Sequence, residues 1–97
     1  MAKTYWIACY REIKDPKALG EYAKLAGPAI WNAGGRNLVR GTPAKTLEAG
    51  LNLRTVVIEF DSVASAIAAY ESPAYQAAHK LLGDTVVGDI RITKATE

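Results

Sequence analysis

Residues 54–78, RTVVIEFDSVASAIAAYESPAYQAA, constrain the fold more than any other stretch of this chain. An apolar, β-branched strand runs straight into a helix whose N-cap is Asp61 or Ser62, and Ser72-Pro73 then restarts a helical segment bearing Tyr75 and Gln76. The flanking sequence supplies matching elements. Residues 4–10 form a first strand, and Asp15-Pro16 starts a helix whose Leu19, Tyr22, Ala23, Ala26 and Ile30 recur at helical steps. Gly27-Pro28 interrupts that helix, where a missing N–H predicts a kink or a break, and Gly34-Gly35 ends it. Residues 36–40 make a second strand closed by Gly41, residues 53–60 the third and residues 86–93 the last. In the second helical region Ile67 and Tyr70 are expected to face inward, followed by a stripe of Ala74, Ala77, Ala78 and Leu81 that stops at Gly83.

The resulting order, β-α-β-β-α-β, predicts a ferredoxin-like α+β fold spanning residues 1–97 as a single domain. Its four-stranded antiparallel sheet carries both helices on one face. In the first strand Trp6 and Ala8 point one way and Tyr5, Ile7 and Cys9 the other. In the third, Val56, Ile58 and Phe60 oppose Thr55, Val57 and Glu59. A half-solvated sheet alternates cleanly between apolar and polar residues, and these strands do not. Two helices on one side leave the other face without cover, so the expected partner is a second copy, packed sheet to sheet in a homodimer.

Composition narrows the function classes. With 49% hydrophobic and 23% charged residues among 97, the chain is an ordinary globular one. Its net charge is only +2, with twelve Lys and Arg scattered along it, so no nucleic-acid partner is expected. The RNA-recognition aromatic signature that can accompany this topology is absent. There is no signal-peptide layout and no apolar run long enough for a bilayer, so no membrane partner is expected and the cytoplasm is the expected location. The single cysteine, Cys9, agrees with a reducing compartment. One His and one Cys do not make a metal site, no phosphate-binding glycine loop precedes a helix, and no cofactor is expected.

Almost the whole chain resembles the bacterial domain-of-unknown-function 1330 family. The likeness is carried by Tyr5-Trp6-Ile7-Ala8, Gly34-Gly35, Leu38-Val39-Arg40-Gly41, Leu47-Glu48, the RTVVIEF strand, Ala66, Tyr70, Ser72-Pro73 and Tyr75-Gln76-Ala77-Ala78. The resemblance implies a dimeric α+β barrel, a superfamily that includes cofactor-free quinol monooxygenases, muconolactone isomerases and haem-binding relatives. Kinship of fold does not assign a function. The chain departs from the family where Ala74 replaces an acidic residue, where Leu82 stands in place of an arginine, and at Thr93-Lys94-Ala95, which replaces the usual Val-Glu-Gly.

Three residues are candidates for catalysis. Glu59 lies within an apolar strand and would act as a general acid or base unless Arg40 or Arg54 pairs with it, which is the favoured structural reading. Tyr75 and His79, four residues apart on one helix side, could deprotonate and orient a phenolic substrate, although a lone helical histidine is more often a surface residue. Candidates for ligand binding are Trp6, Trp31, Asn32, Arg40, Glu48 and Arg54. Of these, Trp6 and Trp31, with Tyr5, Tyr10 and Tyr22, would line a pocket between the first helix and the sheet, widened by the Gly27-Pro28 break. The connection from Gly41 to Asn52 is long for a hairpin, and Glu48 within it is expected to reach over a cleft or, by preference, across the dimer. The leading reading is a homodimer that binds a small organic ligand between helices and sheet. The alternatives are a cofactor-independent monooxygenase or isomerase acting on a small aromatic or lactone, and a non-catalytic interaction module.

Overall fold

A computed structural model describes residues 3–96. The elements are β1 (Thr4–Ile13), α1 (Pro16–Asn32), β2 (Arg36–Gly41), β3 (Thr55–Phe60), α2 (Val63–Glu71), α3 (Pro73–Lys80) and β4 (Val86–Lys94). The sheet is antiparallel in the order β2-β3-β1-β4, so β1 and β3 lie side by side at its centre, with β2 and β4 at the edges. This is the expected ferredoxin-like arrangement, with the second helix delivered in two pieces.

Local chemistry explains the helix ends. Asp15 Oδ1 accepts from the backbone N–H groups of Lys17 and Ala18 at 3.0 and 3.3 Å, with Pro16 at the first helical position where no N–H is needed. Ser62, not Asp61, caps α2: its hydroxyl accepts from Ser65 N–H, and Ser65 Oγ accepts in return from Ser62 N–H. Ser72 closes α2 in an extended conformation and caps α3 through Tyr75 N–H.

Several expectations are corrected. Helix α1 runs as one element through Pro28. Lys24 and Pro28 both face solvent, where water can take the carbonyl that proline leaves without a donor, and no break follows. The extended step at Ser72 resets the helical phase. Tyr75, Ala78 and Leu82 are therefore the buried positions, while Ala74 and Ala77 are exposed and Leu81 is 45% exposed. Ile67 is also largely exposed, and Ala66 and Ala69 take the inward side of α2. Strand β1 continues to Ile13, pairing with β4 beyond a bulge at Tyr10/Glu12, and β3 starts only at Thr55.

One core forms between the helices and one sheet face. It joins Trp6 and Ala8 of β1 and Ile58 and Phe60 of β3 to Tyr22, Ala26 and Ile30 of α1 and to Ala66, Ala69, Tyr75 and Ala78 of α2 and α3. The alternation read from β1 and β3 therefore holds. The helix-free face carries half-buried Tyr5, Ile7 and Val57 in its centre. It turns polar toward β4, where Arg91 lies opposite Ile7 and Asp89 opposite Cys9. The long β2–β3 connection lies beside this face, and its Leu47, Leu51 and Leu53 help enclose a cavity of about 520 Å³ with Ile7, Arg11 and Arg91.

Candidate functional site

A cavity of about 630 Å³ opens on the other side of the sheet, between β1 and β4 below and α2 and α3 above. Its floor is apolar, formed by Ala8, Ile90 and Ile92 with Gly88 at one end. Gly88 pairs with Tyr10 across the β1–β4 ladder, and its missing side chain leaves the floor open at that point. The roof brings Ile67 and Tyr70 from α2, Tyr75 and His79 from α3, and Leu82 beyond it. Tyr22 of α1 reaches in from the side.

Tyr75 is the hub of the roof. It is 1% exposed, and its ring meets Trp6 edge-on at 5.2 Å, Tyr22 edge-on at 6.0 Å and Tyr70 at 5.2 Å. His79 stacks loosely on this cluster, 6.1 Å from Tyr75 and 6.2 Å from Tyr70. The Tyr22 and Tyr75 hydroxyls lie 2.7 Å apart in a buried hydrogen bond. Burial is the main reason the phenols of Tyr10, Tyr22 and Tyr75 hold their protons. It lifts Tyr22 far above the ordinary tyrosine range, with the neighbouring Tyr75 adding to the effect, and pushes Tyr75 up to about 12. Tyr10 is raised too, against the opposing pull of the nearby Arg54 cation.

The sequence candidates separate into five places. Tyr75 and His79 come together on the cavity wall. Glu59 lies on the opposite face of the sheet, half-buried, where it accepts from Arg36 Nε at 3.0 Å and Nη2 at 2.9 Å and from the Tyr5 hydroxyl at 3.3 Å. Its partner is therefore Arg36 rather than Arg40 or Arg54, because Arg36 is the residue directly across the β2–β3 ladder. The same guanidinium reaches Asp61, which Lys3 also binds at 2.8 Å; hydrogen bonds from Lys3 and then Arg36 hold the Asp61 carboxyl below its usual range.

The pocket expected between α1 and the sheet shrinks to about 40 Å³, bordered by Trp6, Arg40 and Arg54 with Tyr22 and Gly27. That is room for a water or so, because α1 stays whole and packs closely on the strands. Trp6 is core, 1% exposed and stacked on Phe60 at 6.2 Å. Trp31, at 68% exposed, and Asn32 face solvent at the end of α1, and Tyr5 sits on the helix-free face, so none of the three borders that pocket. Glu48 is exposed at a loop position with φ 52°. Among the described residues no cluster of three or more His, Cys, Asp or Glu is placed to hold a metal, and no helix is long and apolar enough to cross a membrane.

The family model "Domain of unknown function (DUF1330)" matches residues 3–96. The chain belongs to this family. A comparison with curated proteins finds no match. Among solved structures, a protein of unknown function from Rhodopseudomonas palustris aligns with a TM-score of 0.74 at 16% identity, covering 99% of this chain and 84% of that one. A dimeric ferredoxin-like protein of unknown function from Thermobifida fusca aligns at 0.67 and 18% identity, covering 99% and 92%. A Caulobacter crescentus protein, described provisionally as an antibiotic biosynthesis monooxygenase, aligns at 0.65 and 16% identity, again covering 99% and 92%. At these identities the likeness establishes the fold.

Reasoning from sequence placed Tyr10 and Tyr22 in a pocket under α1 and did not single out Tyr70 as a site residue. The available signal was the spacing of Tyr70 and Tyr75 across Ser72-Pro73. A continuous helix would set those residues on different sides, and the restart brings their rings together.

Proposed function

We propose that this DUF1330 protein binds a small organic molecule in the cavity between β1, β4, α2 and α3. The observation that carries the reading is the cavity itself: about 630 Å³, apolar in its floor, with buried tyrosine hydroxyls and one imidazole on its wall. Cavities of this size and character, with few convergent polar groups, are the usual form of a small-molecule site. The protomer is a single domain that acts as a homodimer in the cytoplasm. Support for the dimer comes from the half-buried Tyr5, Ile7 and Val57 on the helix-free face and from the dimeric Thermobifida fusca relative.

Native mass spectrometry of protein purified without added ligand tests the first part. A retained mass that is lost when Gly88 is replaced by a bulky residue supports the cavity as its site. A retained mass indifferent to that change, or no binding in a screen of small organic molecules, overturns it. Sedimentation at micromolar concentration tests the second part, and a stable monomer overturns the dimer.

A second reading is favoured by His79 beside Tyr75 on the wall and by the Caulobacter crescentus likeness. In it the cavity is the site of a cofactor-independent isomerase, or of a monooxygenase using dioxygen, with His79 taking a proton from a bound substrate. Turnover abolished by His79→Ala with ligand retention unchanged would select this reading over simple binding.

A further inference from the structure

We propose that the cavity selects an uncharged, flat, mostly apolar ligand with one hydrogen-bond-accepting oxygen, and that the Tyr22–Tyr75 pair recognises that oxygen. The inference rests on the cavity reading above and adds the ligand's chemical class.

The first argument is charge. The cavity wall contains no Asp, Glu, Lys or Arg side chain. An anion entering it would shed water without gaining a fixed cation, and an ammonium would find no carboxylate; burial of an unpaired charge is strongly unfavourable. Glu59, Arg36, Asp89 and Arg91 lie on the other sheet face, and the fixed charges stay outside the cavity. His79, the one imidazole on the wall, is engaged with two aromatic rings.

The second argument counts protons. Two hydroxyls joined by one hydrogen bond, as Tyr22 and Tyr75 are, keep one O–H free whichever of them donates. Both tyrosines border the cavity, so the free O–H belongs to its wall. A single donor there matches one acceptor oxygen, such as a ketone or ester carbonyl, and leaves little to satisfy a heavily hydroxylated molecule.

The third argument is shape. Tyr70 and Tyr75, with ring centres 5.2 Å apart, and His79 present aromatic surface above an aliphatic floor of Ile90 and Ile92. That sandwich suits a flat ring system.

The test uses three naphthalenes substituted at the same ring position, titrated calorimetrically into the intact protein. The expected result is that the methyl ketone binds about fivefold tighter than ethylnaphthalene, the worth of one net hydrogen bond. It is also expected to bind at least about tenfold tighter than naphthoate. Tyr75→Phe and Tyr22→Phe should each reduce the ketone's advantage over ethylnaphthalene while leaving ethylnaphthalene affinity in place. Naphthoate binding as well as the ketone would overturn the ligand class while leaving the cavity reading intact. A ketone advantage that survives both substitutions in folded protein would overturn the role of the tyrosines. If none of the three binds, this inference falls, while a retained mass that is lost on bulky replacement of Gly88 would keep the cavity reading.

Discussion

The phenol oxygens of Tyr22 and Tyr75, 53 residues apart in the chain, meet at 2.7 Å inside the only hydrogen bond between buried side chains seen among the described residues. It links α1 to α3 above the sheet and stands where the core gives way to the cavity. A polar bond at that boundary ties the position of the cavity-lining α3 to that of the first helix. Breaking it should disturb stability and recognition together.

That coupling is measurable as a cycle. Tyr22→Phe and Tyr75→Phe each keep the ring packing but leave the partner hydroxyl without its bond, and each is expected to cost about 1–2 kcal/mol in urea denaturation. The double variant removes both polar groups, so its cost should fall short of the sum by about 1 kcal/mol. Strict additivity would show that the two hydroxyls do not interact in solution.

The same residues predict how the protein responds to alkali. A phenol whose folded pKa is raised stays neutral in the folded state while its unfolded counterpart ionises, so stability is intact below about pH 10 and falls as pH climbs toward 12. For Tyr75 the loss is on the order of 2 kcal/mol. Tyrosinate absorbance should therefore rise cooperatively with unfolding in that window. In Tyr75→Phe the stability-versus-pH curve there should be shallower. A simple, non-cooperative titration of every tyrosine near pH 10 with the fold intact would refute the burial of these hydroxyls.

Much of this architecture can be read from the chain, and the failures share a cause. Strand faces follow from a two-residue alternation that tertiary contacts reinforce, so Trp6, Ala8, Ile58 and Phe60 were assignable one by one. Helix starts at Asp15 and Ser62 follow from side chains that bond their own backbone. What misleads is anything that depends on phase across a break. Ser72 shifts the helical register, so of the stripe Ala74, Ala77, Ala78 and Leu81 read straight through only Ala78 is buried, joined by Tyr75 and by Leu82 beyond the helix. Ion pairing was equally hidden. Arg36 finds Glu59 only because the β2–β3 register sets them opposite, and no local spacing announces that register. The cavity wall inherits both uncertainties, since it takes residues from β1, α1, α2, α3 and β4 at once.

Gly35 should be intolerant of any side chain. A Cβ there would lie 2.5 Å from Ile30 Cγ2, 2.8 Å from Phe60 Cζ and 2.9 Å from Ile58 Cγ2, all in the packed core where α1 turns into β2. Gly35→Ala is expected to cost about 1–3 kcal/mol through overpacking, with a matching drop in thermal midpoint. Gly34, next to it, has φ +96° but open space around it, so any cost of Gly34→Ala comes from the backbone alone. An unchanged midpoint for Gly35→Ala would mean that the helix end sits further from the sheet than the structure has it.

Gly88 offers the opposite case, a glycine whose side chain would be accepted by the fold and refused by the ligand. Its Cβ would meet nothing closer than the Tyr10 ring at 3.9 Å, an ordinary contact, and its backbone is not in the left-handed region. Strand residues with side chains pack better than glycine, so Gly88→Leu should leave the thermal midpoint unchanged or slightly raised. The added side chain rises from the floor beside Tyr10 and Ile90 into the space a ligand would need. Binding of the naphthyl methyl ketone should weaken by about tenfold or more, equivalent to the loss of about 1.4 kcal/mol. Because the fold is kept, a fall in affinity here reports on occupancy of the cavity and not on unfolding. Full affinity in a stable Gly88→Leu protein would move the ligand out of this cavity, with the space between the β2–β3 connection and the helix-free face as the next place to look.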